Sequence, residues 1–235
     1  MPTLVFSKLL IMVIFFTSVS YARSSQELVL GYIEFPPFTY TNQHGSADGT
    51  LLKEAQKIIE QAGFQVNTIH LPAARLKKHL EIGEVDLWLG IKPPKDLEDK
   101  VLLGKQKLST IRLNLYSLLA KEAIDIADLK GQEVIVIRGY SYGGVIDYLN
   151  DSKNNIKIHE THDHAAAFKM LAKKRANYLL AYQKPSDLAL QQLTIDKLRV
   201  NNLSTLPIYF IVSKHDSNAK AVLATLEHLL IEDIE

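Results

Sequence analysis

The chain contains no cysteine among its 235 residues. Disulfide bonds, thiol catalysis and thiolate metal sites are therefore excluded, and the fold has to be held by its hydrophobic core. Neither sign of charge dominates, since there are 27 basic and 26 acidic residues and the formal net charge is +1. This balance gives no electrostatic reason to expect binding to nucleic acid or to an anionic membrane surface.

Long hydrophobic runs are also scarce, and the most prominent one lies at the N-terminus. Lys8 precedes an apolar run over Leu9–Val19, and Ser20-Tyr21-Ala22 has the small-x-small form of a cleavage site. The run is shorter than the roughly 20 residues that a membrane-spanning helix needs. We therefore predict a secretory signal peptide over residues 1–22, cleaved after Ala22, and an exported mature chain that starts at Arg23.

The first strand predicted in the mature chain runs straight into an aromatic loop. Leu28–Ile33 is rich in β-formers, and Pro36-Pro37 ends the strand because neither proline can donate a hydrogen bond to a sheet. Phe35, Phe38 and Tyr40 surround the prolines. Aromatic rings at the carboxyl end of a strand form a preformed wall for a small molecule, or they simply cover the core beneath a surface loop.

Strands and helices alternate twice along the chain, before and after about residue 110. Apolar residues recur at helical spacing over 51–62, and Phe64–His70 follows as a strand, which predicts a βαβ unit. Glu133–Arg138 is a second buried strand that opens another series of alternating elements. The pattern favours an α/β protein of two similar lobes over a single sheet.

Five segments, in this order and spacing, resemble bacterial extracellular solute-binding protein family 3, the receptors of polar-amino-acid ABC importers. They are FPPFTY (35–40), LLKEAQKIIEQAGF (51–64), LPAARLKKHLEIGEVDLWLG (71–90), DLKGQEVIVIRGYSYG (128–143) and AFKMLAKKRANYLLAY (167–182). The resemblance covers nearly the whole mature chain.

The resemblance implies a fold of the periplasmic-binding-protein type II kind, with two α/β lobes joined by a two-strand hinge. Lobe one would comprise residues 27–111 and 208–235, and lobe two residues 112–207. The chain would cross between them near 108–113 and 203–207. The resemblance also implies a periplasmic, non-enzymatic monomer without a cofactor that captures a small solute for an ABC permease. A module that presents its ligand to a membrane sensor is the alternative.

Two residues that the family commonly uses to hold an amino acid are missing. An arginine for the carboxylate is expected a few residues after Gly90, but the segment Gly90–Leu97 contains only Lys92 and Lys95 as basic residues. Tyr182 stands where an aspartate for the ammonium is expected. Asn177 replaces another common acid. Burial of an unpaired ammonium would cost several kcal/mol, so an ordinary α-amino acid is a poor candidate ligand.

The remaining candidates are basic or aromatic and suit a small anionic or hydroxyl-rich solute. Three of them have plain alternatives, namely a surface charge for Arg75, an ion pair within its own lobe for Arg138 and a solvated loop for Lys92. The predicted ligand-binding residues are Phe35, Tyr40, Arg75, Gly90, Lys92, Arg138, Tyr140, Ser141 and Tyr182.

Two short patterns suggest other chemistry. Gly139–Gly143 matches G-x-S-x-G, the signature of a hydrolase nucleophile elbow, with Asp187 and either His215 or His228 as possible partners of Ser141. If the chain were a different kind of enzyme, Glu34 would be the candidate general acid or base. The same glycine-rich loop also fits an anion site at a helix N-terminus, which we favour.

His159, His162 and His164 lie within six residues, together with two acidic residues. Imidazole suits zinc or copper, but this run spans a predicted strand-to-helix loop. We predict a solvated segment in which Asp163 caps the following helix, with an adventitious metal site as the alternative.

Overall fold

The computed structural model describes residues 26–119 and 125–232. The predicted signal peptide over residues 1–22 lies outside the described residues. Among the described residues, no helix combines the length and the apolar composition that crossing a bilayer requires.

Strands and helices alternate through the described part of the chain, as the sequence predicts. Its strands are β1 Glu27–Tyr32, β2 Tyr40–Thr41, β3 Ala47–Asp48, β4 Gln65–His70, β5 Leu87–Gly90, β6 Val101–Leu103, β7 Ser109–Ser117, β8 Glu133–Ile137, β9 Lys157–Thr161, β10 Tyr178–Tyr182 and β11 Arg199–Ser213. Its α-helices are α1 Thr50–Gln61, α2 Ala73–Ile82, α3 Lys95–Glu98, α4 Val145–Asn150, α5 His164–Ala172, α6 Gln183–Leu190 and α7 Ala219–Glu232.

The first half of the sheet contains the predicted βαβ unit. β1 pairs in parallel with β4 and with β5, and α1 lies in the connection from β1 to β4. α1 forms because its apolar residues share one face, and burying each large aliphatic side chain contributes about 1.5–3 kcal/mol. The buried residues of this face are Leu51, Leu52, Ala55, Ile58 and Ile59.

The second half of the sheet is built around β8. Its residues from Val134 to Ile137 are all buried, and the strand pairs in parallel with β9 and β10. α5 begins where the sequence predicts, because the carboxylate of Asp163 accepts a hydrogen bond from the backbone N–H of Ala166 at 2.7 Å.

Two long antiparallel strands, β7 and β11, connect the halves. β11 pairs with β7 over Arg199–Ile208 and then with β5 and β6 over Tyr209–Ser213. The strand order β4-β1-β5-β11-β7-β10-β8-β9 makes hydrogen bonding continuous through one curled nine-stranded sheet. The alternation of elements in the sequence favours two lobes over a single sheet, whereas in the structure the two halves share the β7–β11 pair.

β11 begins at Arg199, nine residues before its first buried residue, Ile208. Its early part is polar and mostly half-exposed, so it lacks the alternation that marks a strand. Pairing with β7 creates the strand there, and the side-chain amide of Asn202 donates to that of Asn114 at 3.0 Å across the pair. The register shifts between Asn202 and Ser204, which bends the strand.

Candidate functional site

A cavity of about 60 Å³ lies between the two halves of the sheet. The first half contributes Ile33, Phe35, Thr39, Leu51, Ala73, Lys77, Trp88, Leu89, Gly90 and Ile91. The second half contributes Gly139, Tyr140, Ser141 and Tyr182, and the crossing strands add Ile111 and Ile208. This volume is the space open to the centre of a water molecule, of which one water needs ~10–15 Å³. The cavity therefore holds about four to six waters. At the ~30 Å³ that each water occupies in the liquid, these waters correspond to a guest of ~120–180 Å³.

Strand ends bring these side chains together. β1 and β5 are parallel, and the loops that follow them carry Phe35 and Ile91. β8 and β10 are parallel in the other half, and their ends lead to Gly139 and Tyr182. Carboxyl ends of parallel strands face a common crevice, which is the usual position of a ligand in an open α/β sheet.

Aromatic rings from both halves meet across the cavity. The ring centroid of Phe35 lies 5.3 Å from that of Tyr182 and 6.0 Å from that of Tyr140, both in edge-to-face geometry. Tyr140 and Tyr182 are 5.7 Å apart, and Phe38 stacks behind Phe35 at 5.6 Å. Such pairs contribute about 0.5–1.5 kcal/mol each beyond their buried area, so they favour contact between the halves.

The glycine-rich loop after β8 is held from inside its own half. The hydroxyl of Tyr142, a fully buried side chain, accepts a hydrogen bond from the backbone N–H of Ile137 at 2.6 Å. Gly139 has a φ of 83°, which L side chains rarely adopt. This conformation turns the loop toward the other half.

The glycine-rich loop contacts the first half directly. The ammonium of Lys77 donates a hydrogen bond to the carbonyl oxygen of Gly139 at 2.9 Å. The hydroxyl of Tyr140 donates to the carbonyl oxygen of Glu34 at 3.4 Å. A Cβ atom placed on Gly139 would lie 3.1 Å from the Cβ of Ala73, so a glycine permits this close approach.

Solved structures with the same architecture cover most of the chain. A histidine kinase sensor domain with similarity to periplasmic binding proteins matches with a TM-score of 0.73 and 17% identity, covering 89% of this chain and 91% of that chain. Holo ArgBP from T. maritima matches with a TM-score of 0.70 and 18% identity, covering 89% and 91%. The substrate binding protein of an amino acid ABC transporter matches with a TM-score of 0.67 and 16% identity, covering 88% and 92%.

The chain has a periplasmic-binding-protein type II fold. The identities are low, so the likeness establishes this fold and not a ligand. No family model and no curated protein matches the sequence.

Within this type II fold, five of the nine predicted ligand-binding residues line the cavity. They are Phe35, Gly90, Tyr140, Ser141 and Tyr182. The other four, which include all three cations, do not line it. Tyr40 lies on β2, which pairs with β3 in a separate two-stranded sheet.

The three predicted cations are exposed. Lys92 forms an ion pair with Glu98 at 3.0 Å, and Arg138 forms one with Glu160 at 2.8 Å, as its alternative interpretation anticipated. Arg75 lies on the exposed side of α2. None of the three contributes a cation to the cavity as the structure shows it.

Lys77 is the cation that sequence reasoning missed. Ala73 and Lys77 are four residues apart and line the cavity from one face of α2, whereas Arg75 lies about 200° around the helix from Lys77. The buried positions Leu76 and Leu80 set the phase of the helix, so the signal was present in the sequence. Lys77 is absent from the predicted residues because Arg75 is the basic residue of this segment that resembles an arginine of the solute-binding family.

Burial changes the protonation equilibria around the cavity. It lowers the pKa of Lys77, although the negative charge of Asp96 opposes this shift. It raises the pKa of Tyr182, so this hydroxyl stays neutral at physiological pH. His164 packs near Tyr140, and burial lowers its pKa to about 4 against the opposing charge of Asp163.

The hydrolase interpretation finds little geometric support. Ser141 has φ −91° and ψ −18°, an ordinary conformation and not the strained one of a nucleophile elbow. His215 packs against Gly83, at the opposite end of α2 from the cavity. Glu34 lies outside the cavity, where its carboxylate accepts from the backbone N–H of Thr41 at 2.9 Å.

The three clustered histidines diverge. His159 contacts Glu133 at 2.8 Å, His162 lies in a surface groove beside Glu34, and His164 is buried near Tyr140. In the described ranges, no group of three or more histidine or acidic residues is arranged to hold a metal ion.

Proposed function

We propose that this chain is a periplasmic solute-binding protein that captures a small polar or anionic solute by hinge closure. The observation that supports this most is a cavity lined by residues of both halves. In the described part of the chain, the pairing of β7 with β11 is the strand pairing that connects these halves. A ligand held by both walls stabilises the closed arrangement over an open one.

The proposed lobes are residues 27–111 with 208–235, and residues 112–207. The predicted crossing segments, 108–113 and 203–207, fall in or beside β7 and β11, which supports this division. The signal peptide over residues 1–22 would deliver a monomer to the periplasm, where it needs no cofactor.

Delivery to an ABC permease is the role we favour, because one similar structure is described as the substrate binding protein of an amino acid ABC transporter. Presentation of the ligand to a membrane sensor is the second candidate, because another is described as a histidine kinase sensor domain. Both roles use the same closure, and neither requires turnover of the solute.

The fluorescence of Trp88 offers a direct test. Trp88 is the single tryptophan of the chain and lines the cavity, so a bound solute changes its surroundings. We expect a saturable change of its emission with solutes from a panel of organic acids, amino acids, sugars and polyamines, without their consumption. Chemical conversion of a solute, lost in Ser141→Ala or Glu34→Gln while the variant stays folded, would instead support an enzyme.

A further inference from the structure

Lys77 is the one charged side chain among the residues that line the cavity. It is partly buried, and its ammonium donates to the carbonyl oxygen of Gly139 in the opposite half. An ammonium carries three N–H donors. Within the part of the chain that the structure describes, no carboxylate lies within ion-pair distance of it, so two donors remain for a guest.

The cavity wall offers no complementary negative charge. None of its lining residues is acidic, and Asp96, whose charge acts on Lys77 from a distance, is exposed and outside the wall. A guest that brings an ammonium would meet a like charge and bury its own charge unpaired. A guest that brings a carboxylate would pair the cation that burial has partly stripped of water.

Aromatic and aliphatic groups form most of the remaining wall. Phe35, Trp88, Tyr140 and Tyr182 offer ring surfaces, whereas the hydroxyls of Thr39 and Ser141 are among the few polar groups. The cavity volume fits a guest of about ten non-hydrogen atoms or fewer, on the basis of ~120–180 Å³ of displaced water. Flat, mostly apolar guests match these walls best.

The geometry points to Lys77 as the residue that binds the carboxylate of a small, planar, apolar monoacid that lies against the aromatic wall of the cavity. This inference rests on the proposed function and specifies its ligand class. The hydrogen bond from Lys77 to Gly139 gives the residue a second role, because the same ammonium then connects the guest, α2 and the loop of the opposite half. Ligand binding and closure are coupled at this side chain.

Benzoate is a suitable probe, because it joins a flat ring to one carboxylate, and benzamide is its neutral counterpart of similar shape. The mature chain is titrated with each while Trp88 emission is followed. We expect benzoate to bind at least about 10-fold more tightly than benzamide, since a hydrogen bond to a charged group is worth about 1.5–3 kcal/mol. L-arginine and L-glutamine are expected to bind more weakly than benzoate.

Lys77→Met removes the charge and keeps the length of the side chain. We expect it to weaken benzoate binding about 10- to 100-fold. Benzamide binding should weaken by a clearly smaller factor, because benzamide loses only the contribution of the Lys77–Gly139 hydrogen bond to closure. Lys78→Met is the matched control, because Lys78 is exposed and pairs with Glu81 on the outer face of the same helix. It is expected to change neither affinity, and urea unfolding checks that both variants are folded.

The outcomes separate this inference from the proposed function. Equal benzoate affinity in the wild type and in Lys77→Met would overturn the role of Lys77, and so would tighter binding of L-arginine or L-glutamine than of benzoate. The chain would still be a solute-binding protein in both cases. Failure of every class in the panel to change Trp88 emission would overturn the proposed function as well.

Discussion

Gly139→Ala tests whether the two halves approach each other as closely as the structure shows. Gly139 belongs to the loop after β8, and an added Cβ would meet the Cβ of Ala73 at 3.1 Å and the backbone nitrogen of Ala74 at 3.3 Å. Both atoms belong to α2 in the opposite half. The substitution therefore disfavours the closed arrangement and spares the interior of each half.

The expected loss of ligand affinity is one of two separate effects of this substitution. A φ of 83° costs an alanine about 1–2 kcal/mol whether the cleft is open or closed. The contact with α2 acts only on closure, and overpacking of this kind costs about 1–3 kcal/mol. At 1.4 kcal/mol for each factor of ten, closure and ligand affinity should fall by about 5- to 140-fold.

Gly131→Ala is the matched control. Gly131 has a φ of 73°, and a Cβ atom there would meet nothing within 4 Å. Urea unfolding should show both variants destabilised by about 1–2 kcal/mol, whereas titrations followed by Trp88 emission should show weaker binding for Gly139→Ala alone. Equal ligand affinity in the two variants would refute the contact between the glycine loop and α2.

Two further predictions concern buried polar groups. His164 has an ordinary pKa of 6.5 when unfolded and about 4 when folded, so its contribution to stability is complete above pH 6.5 and is lost as the pH falls toward 4. The loss of stability reaches about 3 kcal/mol, and His164→Leu should abolish this pH dependence. Urea midpoints of the wild type and the variant, measured at pH 7 and pH 5, test it. Equal shifts of the two midpoints between these pH values would contradict the prediction. Tyr142→Phe leaves the buried backbone N–H of Ile137 without its 2.6 Å acceptor and should cost about 1–3 kcal/mol in the same assay, and a change below 0.5 kcal/mol would contradict that hydrogen bond.

Elements with a clear apolar pattern could be predicted from the sequence. α1 was predicted over 51–62 and is observed over Thr50–Gln61, because its buried stripe settles both its existence and its orientation. β8 is buried on both faces and was equally clear. The early part of β11 escaped prediction, because only its partner β7 makes the polar stretch after Arg199 a strand.

The candidate site was predicted in part, for a related reason. Phe35 lies in the loop after β1, and Tyr182 is the last residue of β10. The carboxyl ends of parallel strands in one sheet meet at the same edge, so such residues can be predicted to lie near a site. The roles of cations at strand ends were harder to predict, because the sequence does not reveal that Arg138 forms an ion pair with Glu160 at 2.8 Å. Predicting Lys77 as a cavity residue required the phase of a short helix and the position of the facing loop. The phase can be read from the sequence, whereas the position of the loop comes from tertiary structure alone.

Closure of the two halves around a small solute is the central claim, and a distance measurement between them tests it most directly. The chain has no cysteine, so Glu60→Cys on α1 and Lys173→Cys beside α5, both at exposed positions in opposite halves, can carry a donor and an acceptor dye without further changes. Energy transfer is then recorded while benzoate is added and Trp88 emission is followed in the unlabelled protein. The account predicts that the two dyes move closer together at the same ligand concentrations that change the emission of Trp88. An unchanged dye distance at saturation of Trp88 emission would contradict it.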